Sequence, residues 1–293
     1  MNSKINWHTT FLEIFEELNH IVKNMYLKNE GKIILGDVVG RNIKDDQFLK
    51  IDEVCQNHII DSLKNIGKPI KIYSEHGEFS TNQSKDEESP YIIALDPFDG
   101  TSLYKNNIPG EWWSVLTIFK SNSYKPIAAA AFDFIREEFY FSDNEIFSYY
   151  NINTKKVIPN KIKRKVDLNS GIVIATYTMT TGYSILWSKN TKNLINSLHQ
   201  LKNPPLIWPN GGSCIYPWLE RGIIDAYLMF DEPRTEIDPG LGFTTKKDFT
   251  TLEFNKNKEI SIYSFNPENR HEKINCYIAS NNYKLAEQII QLI

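Results

Sequence analysis

One stretch constrains this chain more than any other: Tyr91-Ile92-Ile93-Ala94-Leu95-Asp96-Pro97-Phe98-Asp99-Gly100-Thr101-Ser102. A short, β-rich apolar run stopped by Pro and Gly reads as a buried strand over 91–95. Asp96 and Asp99 at its end are close enough in sequence to hold one hard cation between them. Gly100, Thr101 and Ser102 then offer successive backbone N–H groups and two hydroxyls, a natural phosphate cradle. Carboxylates beside such a cradle make sense when a divalent metal sits between them. A turn of Asp, Pro and Gly is common by itself. Here it follows a core strand, where two carboxylates ~4 Å apart repel by ~4 kcal/mol at an effective dielectric of ~20.

Composition narrows the setting. With 293 residues, 41% hydrophobic and 24% charged, the chain can bury a large core in one domain or two closely packed ones. A net charge of −3 gives no electrostatic case for nucleic-acid or membrane partners. The polar start, Met1 to Thr10, carries no signal-peptide core, and no window approaches the ~18 apolar residues of a membrane span. Cys55, Cys214 and Cys276 lack metal-site spacing and read as free thiols of a reducing compartment. A cytoplasmic enzyme is the expectation, and a cytoplasmic binding protein the rival.

Along the chain, residues 8–27 show helical spacing through Phe11, Ile14, Phe15, Leu18, Ile21, Val22 and Met25. Gly31 to Gly40 reads as a punctuated loop. A second helix is expected from about Asp46 to Ile66, with Phe48, Ile51, Val54, Ile59 and Leu63 inward. Asp52 lies beside that stripe, on a solvated face or as a functional acid. Lys71 to Ser74 is a short strand ending at Glu75-His76-Gly77-Glu78, and 80–90 an acidic surface loop. Strands are expected over Trp113–Phe119, Ile127–Phe134 and Glu138–Phe141. Trp112 and Trp113 read as core packing more readily than as a platform for a substrate ring. The Lys-rich connection within 143–170 marks a boundary, giving halves of 1–160 and 161–293. The second half reads as a strand over Ile172–Ala175, helices over 190–201 and from Gly211 to Gly222, strands over Ile223–Phe230 and Asn275–Ser280, and a closing helix over Tyr283–Ile293. Strands and helices mixed in both halves indicate an α/β or α+β layered fold.

Glu75 follows a strand by a short step and can reach the rim that holds Asp96 and Asp99. Three carboxylates without paired histidines or cysteines point to Mg²⁺ rather than Zn²⁺. These residues resemble the inositol monophosphatase / fructose-1,6-bisphosphatase superfamily of Mg²⁺-dependent, lithium-sensitive phosphomonoesterases. The likeness extends to Lys50-Ile51-Asp52, to Gly212-Ser213 and to Gly222-Ile223-Ile224-Asp225-Ala226-Tyr227. It implies an α-β-α-β-α sandwich of the sugar phosphatase type, and a homodimer. It also implies two or three Mg²⁺ ions held by Glu75, Asp96, Asp99, the Phe98 carbonyl and Glu236. By the same resemblance Gly100, Thr101 and Ser102 form the phosphate turn, to which Asp99 and Glu236 also contribute. Thr101 and Glu75 orient the attacking water, and Asp52 supports Thr101.

The chain departs from that pattern in places. The last metal ligand of inositol monophosphatases follows a Trp, and no Trp-Asp occurs in this region. Glu236-Ile237-Asp238-Pro239 is similar to the Glu-x-Asn-Pro of fructose bisphosphatases, which favours Glu236 and leaves Asp238 as the alternative. His76 follows Glu75 where a second Glu is usual. Met229 stands where inositol monophosphatases place a sugar-binding Glu, and a thioether cannot accept sugar hydroxyls as a carboxylate does. The expected activity is hydrolysis of a small phosphate ester, a sugar or inositol phosphate, by metal-activated water. Arg221 and Arg234 are the cations available to a second phosphate. Alternatives are a phosphatase of 3′-phosphoadenosine 5′-phosphate or another nucleotide, a non-catalytic metal- and phosphoester-binding relative, and a Ca²⁺-binding structural module.

Overall fold

In the computed structural model, which describes residues 5–38, 47–82, 88–157, 164–255 and 259–293, the chain divides into two units, each built around one large sheet. The first comprises Met1–Pro159 with Asp238–Gly242, and the second Asn160–Ile237 with Phe243–Ile293.

The first unit opens with helix α1, Trp7–Leu27, which Asn6 starts by accepting the Thr9 amide (3.2 Å). Its buried side is the stripe Phe11, Ile14, Phe15, Leu18 and Val22. The segment read as a loop contains a strand: β1, Ile34–Asp37, pairs antiparallel with β2, Gln47–Leu49. The second helix therefore begins later than expected. Helix α2 spans Lys50–Lys64, with Ile51, Cys55, Ile59 and Leu63 inward; the expected start at Asp46 lies outside the described residues. Apolar spacing runs from Phe48 into the helix without a break, so periodicity alone misses the boundary.

The sheet of this unit runs through β3 (Ile70–Ser74), β4 (Gly77–Thr81), β5 (Tyr91–Asp99), then helix α3 (Thr101–Lys105) and β6 (Trp113–Lys120), β7 (Pro126–Asp133), β8 (Glu138–Asp143), β9 (Phe147–Asn151) and β10 (Lys156–Val157). Their order across the sheet is β10-β9-β8-β7-β6-β5-β3-β4. Only β3 and β5 pair in parallel; the other neighbours are antiparallel. Ile93, Leu95, Leu116, Ile118, Ala128, Ala130 and Phe132 point to the face where α1 and α2 pack. Trp112 and Trp113 are both buried, so they serve the core. Of the acidic run Asp86-Glu87-Glu88, Asp86 and Glu87 lie outside the described residues.

The opposite face of β6 carries Thr117, which is fully buried. Its hydroxyl donates to the Pro239 carbonyl (2.7 Å) and accepts the Gly242 amide (2.8 Å). Thus one side chain pins Asp238–Gly242 to the sheet. Thr117→Val keeps the shape and strands one buried donor and one buried acceptor, at roughly 1–3 kcal/mol each. We expect ~2–4 kcal/mol less stability to urea, restored by Thr117→Ser. An unchanged urea midpoint in Thr117→Val would mean that this segment is held by something else.

The second unit has β11 (Val173–Ala175), helix α4 (Thr181–His199), β12 (Leu206–Trp208), helix α5 (Ile215–Arg221), β13 (Ala226–Pro233), β14 (Thr250–Phe254), β15 (Ile260–Ile262), β16 (Lys273–Ser280) and helix α6 (Tyr283–Ile290). The sheet order is β12-β11-β13-β16-β14-β15, parallel across the first three and antiparallel beyond. Ile174, Leu228, Phe230, Leu252 and Ile278 meet Trp187, Leu194 and Leu198 of α4 and Leu285 and Ile289 of α6. Helix α4 starts nine residues before the expected 190, because Thr180 caps it through the Tyr183 amide (3.4 Å). Its first turns are rich in Thr, Gly and Ser, which dilutes the apolar signal. Helix α5 starts at Ile215 rather than Gly211, and Pro217 is tolerated in its first turn, where the missing N–H would bond to nothing in the helix. The strand expected over 223–230 lies at 226–233, and the β14–β15 hairpin was not anticipated. The architecture is α+β with mixed sheets, as expected from the sequence.

Candidate active site

Parallel pairing brings the first two acids together. Ser74 at the end of β3 lies opposite Leu95 on β5, so Glu75 and Asp96 are the next residues of adjacent strands. Parallel neighbours are ~4.8 Å apart, and the carboxyl ends of such strands are where ligands bind in open sheets. Asp96 is only 4% exposed.

A bulge then aligns Asp99 with Asp96. Asp96 opposes Val115 on β6, and Asp99 opposes Trp113, so β5 advances three residues while β6 advances two. In a regular strand, residues three apart point to opposite faces. The extra residue at Pro97-Phe98 cancels the odd step and leaves both aspartates on one side. That is the side of Thr117, where Asp238–Gly242 is pinned.

The chain next turns sharply. Gly100 has φ +103, and a Cβ there would stand 1.9 Å from the Glu111 carbonyl oxygen. Helix α3 follows at once, with Thr101 and Ser102 in its first turn. The Thr101 hydroxyl donates to Asp52 Oδ1 (2.7 Å) and lies 2.9 Å from the Phe98 carbonyl. Asp52 is 1% exposed, and its Oδ2 accepts the Leu49 amide (2.6 Å). This acid belongs to no solvated face: it caps α2 and holds Thr101. Burial pushes Asp52 up to about 7, His76 opposes the rise, Glu75 adds to it, and the Thr101 hydroxyl and Leu49 amide oppose it. Asp52 and Asp96 both act on Cys55, whose thiol is pushed well up, chiefly by burial. Asp52, Glu75, Asp96 and Thr101 thus share one electrostatic neighbourhood.

Glu75 is held in turn. Its Oε1 lies 3.1 Å from His76 Nε2, with the two side chains 11% and 5% exposed. The His76 ring packs on Phe48, centroids 4.0 Å apart. The His76 amide donates to Ser74 Oγ (3.0 Å), and that hydroxyl donates to Gln56 Oε1 (2.7 Å). Sequence reasoning passed over Gln56, although its place four residues after Asp52 on α2 puts both on one helix side.

The second unit accounts for other candidates. Glu236 ends a short 3₁₀ turn and is buried there, whereas Asp238 belongs to the first unit. Asp225 is structural: it accepts the Val173 amide (2.9 Å) and the Asn281 side chain (3.2 Å). Arg234 is committed to Glu253 (3.2 Å) and the Ser264 carbonyl (3.0 Å), and lies over the Tyr263 ring. Met229 is 1% exposed, and its sulfur accepts the Tyr177 amide (3.2 Å). Cys55, Cys214 and Cys276 are buried free thiols.

Among the described residues, no three His, Cys, Asp or Glu side chains converge at metal-binding distances. The fit to a cation rests on the donor type: Glu75, Asp96 and Asp99 carry hard carboxylate oxygens at adjoining strand ends, the kind of donor that Mg²⁺ prefers. Among the described residues no helix is long and apolar enough to cross a membrane.

No family model matches the chain. A fructose-1,6-bisphosphatase/inositol-1-monophosphatase of Thermococcus kodakarensis is 30% identical over 137 residues, 47% of this chain and 48% of the relative. A class 1 fructose-1,6-bisphosphatase of Sulfurihydrogenibium is 30% identical over 104 residues, 36% of this chain and 30% of that relative. The matches therefore span about half or less of those curated relatives. Among solved structures, an inositol monophosphatase–fructose 1,6-bisphosphatase aligns over 99% of this chain and 100% of its own, at TM-score 0.67 and 18% identity. A Pyrococcus horikoshii protein with similarities to inositol-1-monophosphatase aligns over 98% of both chains, at TM-score 0.64 and 21% identity. An inositol monophosphatase/NADP phosphatase solved with Mg²⁺ and phosphate aligns over 97% of this chain and 94% of its own, at TM-score 0.61 and 12% identity. Over the matched stretches the chain is similar in sequence to proteins named fructose-1,6-bisphosphatase/inositol-1-monophosphatase, and over nearly its whole length it shares the fold of the solved inositol monophosphatase-like structures.

Proposed function

We propose that this chain is a Mg²⁺-dependent phosphomonoesterase acting on a small phosphorylated metabolite. The observation that carries the reading is the strand-end geometry: register sets Glu75 beside Asp96, and the bulge turns Asp99 to the same side. Glu75, Asp96, Asp99 and the Phe98 carbonyl are the groups that would hold Mg²⁺. Bound there, the ion would neutralise phosphate charge and make a water acidic enough to act as nucleophile.

The chain's own groups do the rest. Asp52 fixes the Thr101 hydroxyl and lies within electrostatic reach of Glu75, which supports Thr101 and Glu75 as the pair that orients the attacking water. Glu75 receives the water proton as the oxygen attacks phosphorus. The phosphorus–oxygen ester bond breaks, and the leaving alkoxide takes a proton from solvent. The backbone N–H groups of Gly100, Thr101 and Ser102 face the phosphate oxygens. No residue is phosphorylated, so the buried cysteines have no part.

The commitment of Arg234 to Glu253 and Ser264 removes one of the two cations considered for a second phosphate. Monophosphorylated sugars are therefore the substrates we favour. A phosphate-release screen checks this with inositol phosphates, sugar monophosphates, fructose 1,6-bisphosphate, 3′-phosphoadenosine 5′-phosphate and NADP, with and without Mg²⁺ and Li⁺. We expect release that needs Mg²⁺, falls with Li⁺ and favours a monophosphate. Release without any divalent cation would refute the mechanism, and a strong preference for a bisphosphate would refute the substrate assignment.

A further inference from the structure

We infer that a cleft beside the first turn of α1 binds a free α-amino acid with an apolar or aromatic side chain; none of the residues assigned to phosphate-ester hydrolysis takes part. The cleft holds about 580 Å³, within the size range of small-molecule sites. Its floor is one end of the first sheet. Tyr91 on β5 pairs with Lys120 on β6, and Ala128 on β7 pairs with Asp143 on β8. Ile118, two residues before Lys120, pairs with Ala128, so all four side chains share the sheet face on which α1 packs. Trp7 and His8 of α1 form the opposite wall. The Trp7 ring stands edge-on to Tyr91, centroids 5.2 Å apart, and both rings are only partly buried.

Opposite charges border the cleft without meeting. Among the described residues the Lys120 ammonium has no partner. Strands β6 and β8 are separated by β7, hence by roughly 10 Å, and Ala128 is too short to fill the gap between their side chains. Asp143 Oδ1 accepts the Glu145 and Ile146 amides, each at 2.8 Å, while among the described residues Oδ2 accepts no hydrogen bond. His8 does not neutralise this acid. Burial holds the imidazole below its usual range although Asp143 pulls it up, so at neutral pH the ring brings no charge. Glu145 adds a second carboxylate to the lining. A simple anion would be repelled by Asp143 and Glu145, and a simple cation by Lys120. A zwitterion satisfies both ends: its carboxylate accepts from Lys120, its ammonium donates to Asp143 Oδ2, and its side chain covers Trp7 and Tyr91.

The test is calorimetric titration of the whole chain with L-phenylalanine, and with 3-phenylpropanoate and 2-phenylethylamine, each of which lacks one of its charges. Lys120→Met removes the ammonium and keeps the stem, and Asp143→Asn keeps the Oδ1 acceptor. We expect L-phenylalanine to bind the parent, and each one-charge ligand to bind ~10–100-fold more weakly, the range for losing a hydrogen bond to a charged group. Glycine, which leaves Trp7 and Tyr91 uncovered, should bind at least ~10-fold more weakly than L-phenylalanine. Lys120→Met should weaken L-phenylalanine by ~10–100-fold and leave 2-phenylethylamine unchanged. Asp143→Asn should weaken it as much and leave 3-phenylpropanoate unchanged. No binding of L-phenylalanine to the parent overturns the inference. So does 3-phenylpropanoate or inorganic phosphate binding as tightly as L-phenylalanine, because the cleft would then be an anion site. An affinity for L-phenylalanine unchanged in both variants, or an equal loss for all three ligands in each, removes the role of the two charges and overturns it as well. If Asp143→Asn does not fold, Lys120→Met decides with the same three ligands, since Lys120 is exposed.

Discussion

Asp96→Asn is expected to lower Mg²⁺-dependent phosphate release by more than about 10²-fold while leaving the fold intact. The two side chains have the same shape, so β5 keeps its register between β3 and β6. What changes is charge: a carboxylate oxygen becomes an amide that offers N–H groups toward any cation. Asp96 is 4% exposed and shares its surroundings with Asp52 and Glu75, so a neutral residue relieves repulsion among buried acids. We therefore expect the variant to unfold in chelator at or above the parent temperature, and to lose the rise that Mg²⁺ gives the parent. Near-parent phosphate release in Asp96→Asn would end the proposed mechanism. Loss of activity together with loss of folding would show that Asp96 is structural instead.

Much of the local structure around the candidate site is legible in the sequence. The apolar run 91–95, its Asp-Pro-Phe-Asp-Gly-Thr-Ser end and Glu75 after a strand are local patterns, and local patterns survive folding. Asp52 could not be settled by pattern alone, since an acid beside a helical stripe is ordinary. Only the contact with Thr101, 49 positions away, shows what it does. The bulge was equally hidden. Spacing of three along a strand would have set Asp96 and Asp99 on opposite faces, and only the β6 register shows otherwise.

Misread elements share one physical cause. Apolar rhythm makes helix α2 read too long, because Phe48 continues that rhythm although its backbone pairs with β1. Helix α4 reads too short, because its capped start is polar. Tertiary contacts decide such ends, and intrinsic propensity is a weak prior there. Arg234 shows the same limit for function. In sequence it is a cation in an acidic region; in the fold its partners are Glu253 and Ser264, about twenty to thirty residues on.

Gly100→Ala should be among the most damaging single changes in the first unit. Two effects add at this position. The backbone sits at φ +103, which side chains other than glycine rarely adopt, and the new methyl would stand 1.9 Å from the Glu111 carbonyl oxygen. Neither strain has an easy outlet, since Asp99 is fixed by its pairing with Trp113 and Thr101 by its bond to Asp52. Gly67→Ala separates the terms, because Gly67 has φ +71 with nothing within 4 Å of the added carbon. That control should lose about 1–2 kcal/mol in urea unfolding, the cost of left-handed backbone alone. Gly100→Ala should lose ~3–5 kcal/mol, since it adds a backbone clash that only displacement can relieve. The displaced element is the turn proposed to hold phosphate, so whatever folded protein remains should bind inorganic phosphate more weakly in the presence of Mg²⁺. Equal losses in the two variants would show that the backbone at Glu111, just before β6, yields freely. The close approach of that carbonyl would then have no part in shaping the phosphate turn.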